Sequence, residues 1–335
     1  MSGWEGVESP QYRGAFAFAA ERLEALRPAP DLPALPYDFS AELASTAADI
    51  EGALDELLTV GALAGPGAPP ERLVAAMRHG SLNGGKRLRP LLLRQAAGVF
   101  GLPAERTVMA GLAVEMIHCY SLIHDDLPAM DDDDLRRGQP TVHRAYDEAT
   151  AILAGDSLLT HAFGVLAHDS LDADPAVRLR LVGELAAGAG AGGMAGGQMT
   201  DIEGEKSFLT ERAIARMQAM KTGALIRAAV RMGAILGGAS DDQLLHLTHY
   251  AEAAGRAFQL ADDILDVTAS PEAMGKATGK DAGAGKQTIV ARIGLEAAQR
   301  QLGEVIHDAL TALLPFGERA DALRATARFF AERQS

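Results

Sequence analysis

From Phe39 onward, apolar residues recur at three- and four-residue intervals, and this periodicity constrains the fold more than any other feature of the chain. FSAELASTAADIEGALDELL shows it first, and GPGAPP at 65–70 then breaks it. The same spacing predicts helices at about 71–82, 88–100, 104–124, 143–168, 175–200, 210–237, 240–268 and 286–313, punctuated by Gly, Pro or Asp. Ala, Leu, Met and Arg are plentiful, aromatic and β-branched residues are sparse, and no alternating run competes. An all-α fold follows, with residues 39–335 as one domain. Residues 1–38 read as an N-terminal extension. A short helical stretch at 12–26 leads into a linker holding Pro28, Pro30, Pro33 and Pro36. The Gly-rich segment 188–197 is either a flexible loop or, as we prefer, helix packed closely against a neighbour.

About 48% of the residues are hydrophobic, enough for a sizeable core, and the net charge is −14. That charge argues against nucleic acid as a partner, because phosphate backbones require cationic surface. An anionic substrate would need a local cationic site or metal ions. Cys119 is the only cysteine, which leaves no intramolecular disulfide and suggests a reducing, cytoplasmic setting. No uninterrupted apolar run has the length of a bilayer span, so no membrane span is expected.

The strongest chemical signal is SLIHDDLPAMDDDDLRRGQPTVH at 121–143, where six of the ten residues from Asp125 to Asp134 are aspartate. Two unit charges 4 Å apart repel by about 4 kcal/mol at an effective dielectric near 20. Hard divalent cations relieve that repulsion, and Mg²⁺ typically uses one or two carboxylates plus substrate phosphates. Pro128 should end the helix and let Asp125, Asp126 and Asp131 turn toward one site. An EF-hand fails, since Leu127 occupies the third loop position. A second cluster, FQLADDILD at 258–266, sets Asp262 and Asp266 four residues apart on one helix face, with Gln259 and Asp263 on the same side.

Cationic partners lie elsewhere. GGKRLRP at 84–90 joins glycines to Lys86, Arg87 and Arg89 at a helix start, a phosphate-binding arrangement without Walker spacing. Lys221 and Thr222 add an ammonium and a hydroxyl. Lys276, Lys280 and Lys286 stand in a Gly-rich stretch that could close over bound diphosphate. His118 is either a core histidine or a diphosphate ligand. These parts describe a site for two diphosphates, one bridged by metal and one held directly by Lys and Arg.

In order, GGKRLRP, DDLPAMDDDDLRRGQPT, GDSLL, GGQMTDI, KTG and FQLADDILD resemble the trans-isoprenyl diphosphate synthase family over roughly residues 40–330. The resemblance implies a helical bundle around a deep central cavity, a homodimer and three magnesium ions per active site. It also implies ionisation of an allylic diphosphate (dimethylallyl or geranyl), attack by isopentenyl diphosphate, and proton loss. By position, Asp125, Asp131 and Asp262 look like metal ligands, with Asp126, Asp263 and Asp266 in support. Gly85, Lys86, Arg89, His118 and Arg137 look like the isopentenyl diphosphate site. Arg136, Lys221, Thr222, Gln259 and Lys276 look like the allylic site.

Tyr120 lies five residues before Asp125, about 7.5 Å down a helix at 1.5 Å per residue. Its ring can floor the cavity, with lateral room beside Ser121. That aromatic, and four residues rather than two between the paired and the single aspartate of the first motif, resemble bacterial farnesyl diphosphate synthases. A geranylgeranyl diphosphate synthase is the near alternative. A non-catalytic subunit would be expected to lose an aspartate cluster, and a terpene cyclase has no second diphosphate to justify Lys86 and Arg89.

Overall fold

The computed structural model describes residues 37–204, 209–268 and 288–332. The sequence-predicted helix at 12–26, the proline linker, and Lys276, Lys280 and Lys286 lie outside the described residues. From Tyr37 the chain forms one compact unit. Its helices are α1 (Phe39–Leu57), α2 (Glu71–Ser81), α3 (Leu88–Gly98), α4 (Val108–Asp125), α5 (Val142–Ala145), α6 (Glu148–Ala167) and α7 (Pro175–Ala189). They continue as α8 (Met194–Gly204), α9 (Glu211–Gln218), α10 (Ala224–Leu236), α11 (Asp241–Thr268), α12 (Ile289–Ile293), α13 (Leu295–Ala312) and α14 (Asp321–Glu332). Only a two-residue antiparallel hairpin, β1 (Leu135–Arg136) with β2 (Gln139–Pro140), interrupts the helices among the described residues. The all-α expectation holds.

Local chemistry sets the boundaries. Asp38 accepts from the Ala41 amide and caps α1, and Asp147 does the same for α6 through Thr150. Asp174 accepts from Ala176 at the start of α7, where Pro175 occupies the first turn. The helix expected over 143–168 is divided at Tyr146–Asp147, because Asp147 is extended and begins a new helix. The run 175–200 is divided likewise. It turns through Gly190–Gly193, so the Gly-rich segment is partly turn and partly the start of α8. Gly294, at φ 82°, separates α12 from α13.

α4 runs through the core, with Gly111 to Ile117 buried without interruption, and it packs on α3 and most extensively on α6. Truncating a buried Met116 or Ile117 to alanine typically costs about 2–5 kcal/mol at sites of this kind. At the far end of the chain, Tyr250 Oη of α11 donates to the Leu323 carbonyl at 2.7 Å. Thr326 of α14 donates to Gln95 of α3 at 2.7 Å. These bonds hold the last helix against α11 and α3. Two segments, Ala104–Asp125 and Glu148–Ala167, are long and apolar enough by composition to cross a membrane. Burial of 67% of the first explains it as a core helix, whereas only 39% of the second is buried.

Candidate active site

The first aspartate motif begins where α4 stops. Pro128 lies in the turn, and the Asp131 amide donates back to the Asp125 carbonyl at 2.8 Å, so the chain doubles over and returns Asp131 to the helix end. Arg137 and Gly138 then make the hairpin turn with φ of 52° and 78°, the doubly left-handed conformation of a two-residue hairpin loop. The six aspartates do not act alike. Asp126 is buried and accepts from Arg136 Nε at 2.8 and 3.0 Å and from Nη2 at 2.5 Å. Asp132 and Asp134 pair with Arg144. Asp133 stands 3.8 Å from Arg136, and Asp125 and Asp131 both act on Lys221. Asp126, expected beside the metal ligands, instead anchors Arg136, itself expected on the allylic diphosphate. The bond couples the hairpin to the helix end.

Burial, reinforced by Asp131, pushes the Asp125 carboxyl up to about 6, against the opposing pull of Lys221 and Arg136. Burial works against the Lys221 ammonium. Asp201, with its carboxylate 2.6 Å from Nζ, and then Asp125 and Asp131 nevertheless hold its pKa above the ordinary lysine value. Lys221 and Thr222 stand on a π-helical turn, Ala219–Gly223, between α9 and α10. Gly197 of α8 packs on the backbone there: a Cβ on it would lie 2.1 Å from the Lys221 nitrogen. That contact is the close approach expected of the Gly-rich segment.

Thr222 links the turn to the second cluster. Its Oγ1 donates to Gln259 Oε1 at 3.1 Å, and Gln259 Nε2 donates to Asp263 at 3.0 Å. Asp263 is buried and also accepts from Gln218 at 3.0 Å and from the Ile289 amide at 3.1 Å. Asp263 thereby clamps α9, α11 and α12 together. Asp262 acts electrostatically on Arg89. Asp266 is half-buried near the end of α11, within electrostatic reach of Asp263.

The Arg89 side of Asp262 opens on a cavity of about 520 Å³, lined by the loop and helix start 85–89, by Glu115 and His118 of α4, by Arg137 and by Phe258. Gly85 adopts φ 128°, and a Cβ there would lie 2.7 Å from the Arg137 guanidinium, so the position requires glycine. Arg137 donates to Asn83 at 3.0 Å and to the Gly84 carbonyl. Lys86 Nζ lies 5.8 Å from the centre of the Phe329 ring of α14. Arg89 Nε is closed off from solvent without a hydrogen-bond partner. Burial, then the Arg89 and Arg137 charges, push the His118 imidazole well below its ordinary value, so it is uncharged at neutral pH.

On α4, Tyr120 is half-buried and its ring meets His124 edge-on at 5.7 Å. His124 reaches the Ile152 carbonyl of α6 at 3.1 Å, so Tyr120 stands toward the α4–α6 seam below Asp125. The Ser121 hydroxyl donates to the His118 carbonyl at 2.9 Å. Asp201 and Gln198 carry no role in the sequence reading, although GGQMTDI is among its motifs. Both Gln198 amide atoms are buried without a partner.

No three acidic or histidine side chains among the described residues form a ready metal cage. A magnesium ion that keeps waters and substrate oxygens does not need one. The unfavourably buried charge of Asp125 beside Asp131 is of the sign and hardness that such an ion satisfies.

Residues 70–313 match the family model described as Polyprenyl synthetase. The chain belongs to the polyprenyl synthetase family. Within it, the chain is 45% identical over 266 residues to the farnesyl diphosphate synthase of Escherichia coli, covering 78% of this chain and 89% of that protein. It is 48% identical over 255 residues to a probable farnesyl diphosphate synthase of Sinorhizobium fredii, covering 75% of this polyprenyl synthetase and 76% of the relative. The solved apo structure of an FPP/GFPP synthase from Zymomonas mobilis superposes with a TM-score of 0.78 at 41% identity, over 88% of this chain and 98% of the other.

Proposed function

We propose that this polyprenyl synthetase condenses isopentenyl diphosphate with dimethylallyl and then geranyl diphosphate to make farnesyl diphosphate. The observation that carries the reading is the pairing of two unlike anion sites. One sets Asp125 and Asp131 against Lys221, with Thr222 and Gln259 linking that turn to Asp263, and the other is the cationic cavity, where Asp262 acts on Arg89. Magnesium held by Asp125, Asp131 and Asp262 would supply Lewis-acid stabilisation of the departing allylic diphosphate. Lys221, Thr222 and Gln259 orient that diphosphate from the α9–α10 turn, and Arg136, steadied by Asp126, approaches from the hairpin. Lys86, Arg89, Arg137 and the Gly85 backbone hold isopentenyl diphosphate directly, with uncharged His118 as a hydrogen-bonding partner. Lys276 is assigned to the allylic side by motif position.

The protein acts as a cytoplasmic homodimer in this reading, with residues 39–335 as its catalytic domain. Ile152 and Leu153 of α6 and Leu179 of α7, exposed apolar side chains at 45%, 55% and 72%, support burial of these helices against a second copy. Incubation with labelled isopentenyl diphosphate and dimethylallyl diphosphate should give a fifteen-carbon product only when magnesium is present. A dominant twenty-carbon product would replace farnesyl with geranylgeranyl diphosphate, and no condensation at all would remove the enzyme assignment. Tyr120→Ala should extend the product by at least one isoprene unit, read by chromatography of the dephosphorylated alcohols. An unchanged product distribution would count against Tyr120 as the floor.

A further inference from the structure

Arg87 is the one basic residue of GGKRLRP that the family resemblance does not assign to a substrate. Its side chain is 0% exposed and that of its partner Glu115 is 2% exposed. Arg87 Nη1 donates to Glu115 Oε1 at 2.6 Å, and Nη2 donates to the Ser81 carbonyl at 2.7 Å. Glu51 of α1 stands at 3.5 Å from the same Nη2. The guanidinium thereby ties the last residue of α2 to the middle of α4. Its backbone is left-handed, φ 48° and ψ 39°, which L-residues other than Gly, Asn and Asp rarely adopt. Gly84 and Gly85, at φ 83° and 128°, make the loop into Arg87 left-handed at three of four consecutive positions. A loop of that shape does not hold itself, because no backbone ladder runs through it.

Glu115 precedes His118 by three residues on α4, so both side chains project from one face, and both line the cavity together with Arg87. Glu115 is the acid among lining residues that include Lys86, Arg87, Arg89 and Arg137, and its charge also acts on Arg89 and Arg137. A buried ion pair adds little net stability compared with apolar side chains of the same volume, whereas breaking one side of it is costly. What the pair supplies is geometry: a pinned loop with Lys86 before it and Arg89 after it, both directed to the cavity.

We propose that Arg87 and Glu115 are positioning residues for isopentenyl diphosphate, a buried pair that fixes the 82–87 loop so that Gly85, Lys86 and Arg89 meet the diphosphate in register. The proposal rests on reading the cavity as the isopentenyl diphosphate site. It is tested with full-length Arg87→Met, Arg87→Lys and the double variant Arg87→Met/Glu115→Met, measuring KM for each substrate, kcat and thermal melting. Arg87→Met should raise KM for isopentenyl diphosphate at least tenfold and change the allylic KM less than twofold, and Arg87→Lys should recover part of the loss. The double variant removes both charges of the pair together and should melt closer to the wild-type temperature than Arg87→Met while keeping the raised isopentenyl KM. If it recovers KM along with melting temperature, or if both KM values rise together, the pair is structural only and the proposal falls. The double variant also provides the measurement should Arg87→Met fail to fold. Arg89→Ala serves as the control. If it leaves the isopentenyl KM unchanged, the site reading is wrong; if it raises that KM and the Arg87 variants do not, the positioning proposal alone is wrong.

Discussion

Asp125→Asn should lower turnover by about 10²–10³-fold, the range typical when one preorganised electrostatic group is removed from an active site, and should at the same time make the metal-free protein melt higher. The two effects share a cause. The carboxyl is pushed up to about 6 because burial and Asp131 disfavour its charge. A group whose pKa is higher in the folded than in the unfolded chain contributes stability below its unfolded value that is lost as pH rises through its folded value. For Asp125 the window runs from about 4 to about 6, so at pH 7.5 the wild type has lost that contribution and asparagine recovers it. After a discount for partial exposure the gain is on the order of 1–2 kcal/mol, or about 1.5–3 °C in a chain of this size. The advantage of the variant should shrink toward pH 4. Magnesium with a diphosphate ligand should reverse the order by stabilising the wild type selectively. Melting curves at pH 4.5 and 7.5, with and without magnesium and inorganic diphosphate, check each part. Wild-type turnover in the variant would remove Asp125 from the metal site.

The second large effect belongs to Arg89. Its Nε is sealed from water with no hydrogen-bond partner, and it stands between Asp262 and the cavity. Losing a buried charge that meets an anion typically costs about 2–5 kcal/mol. Arg89→Ala is therefore expected to raise the isopentenyl diphosphate KM by about 10²-fold or more, while the allylic KM stays within about threefold. Steady-state kinetics with each substrate varied in turn separates the two. An equal rise in both values would mean that Arg89 organises the whole site rather than one diphosphate.

The helical class was legible because the apolar periodicity of α1 and α11 reflects the faces those helices bury, whereas α3 and α4 are buried over continuous stretches. The breaks were less so. Tyr146–Asp147 and Gly190–Gly193 divide stretches whose apolar spacing continues across the division, and a two-residue hairpin is too short to carry an alternation. Within the site, residue type reported charge but not allegiance. Asp126 and Asp263 have the composition of metal ligands, yet a neighbouring guanidinium and two glutamines with a backbone amide satisfy them. Gln259 lies four residues from Asp263 on the same helix side and was legible, whereas Arg136 is ten residues from Asp126 and Gln218 is 45 from Asp263, beyond the reach of local spacing. Asp201 was visible within GGQMTDI, and only its 2.6 Å contact with Lys221 gives it a role.

The wide turn at Ala219–Gly223 makes the chain unusually sensitive to length at that place. An α-helix advances about 100° per residue, so removing Met220 would let a regular coil run through while rotating every side chain on one flank by nearly a third of a revolution. Gln218 would then swing away from Asp263, or Lys221 from Asp201, since both could not keep their present bearings. A one-residue deletion there should cripple the protein more than most substitutions in the same segment, although it would leave a straighter helix behind.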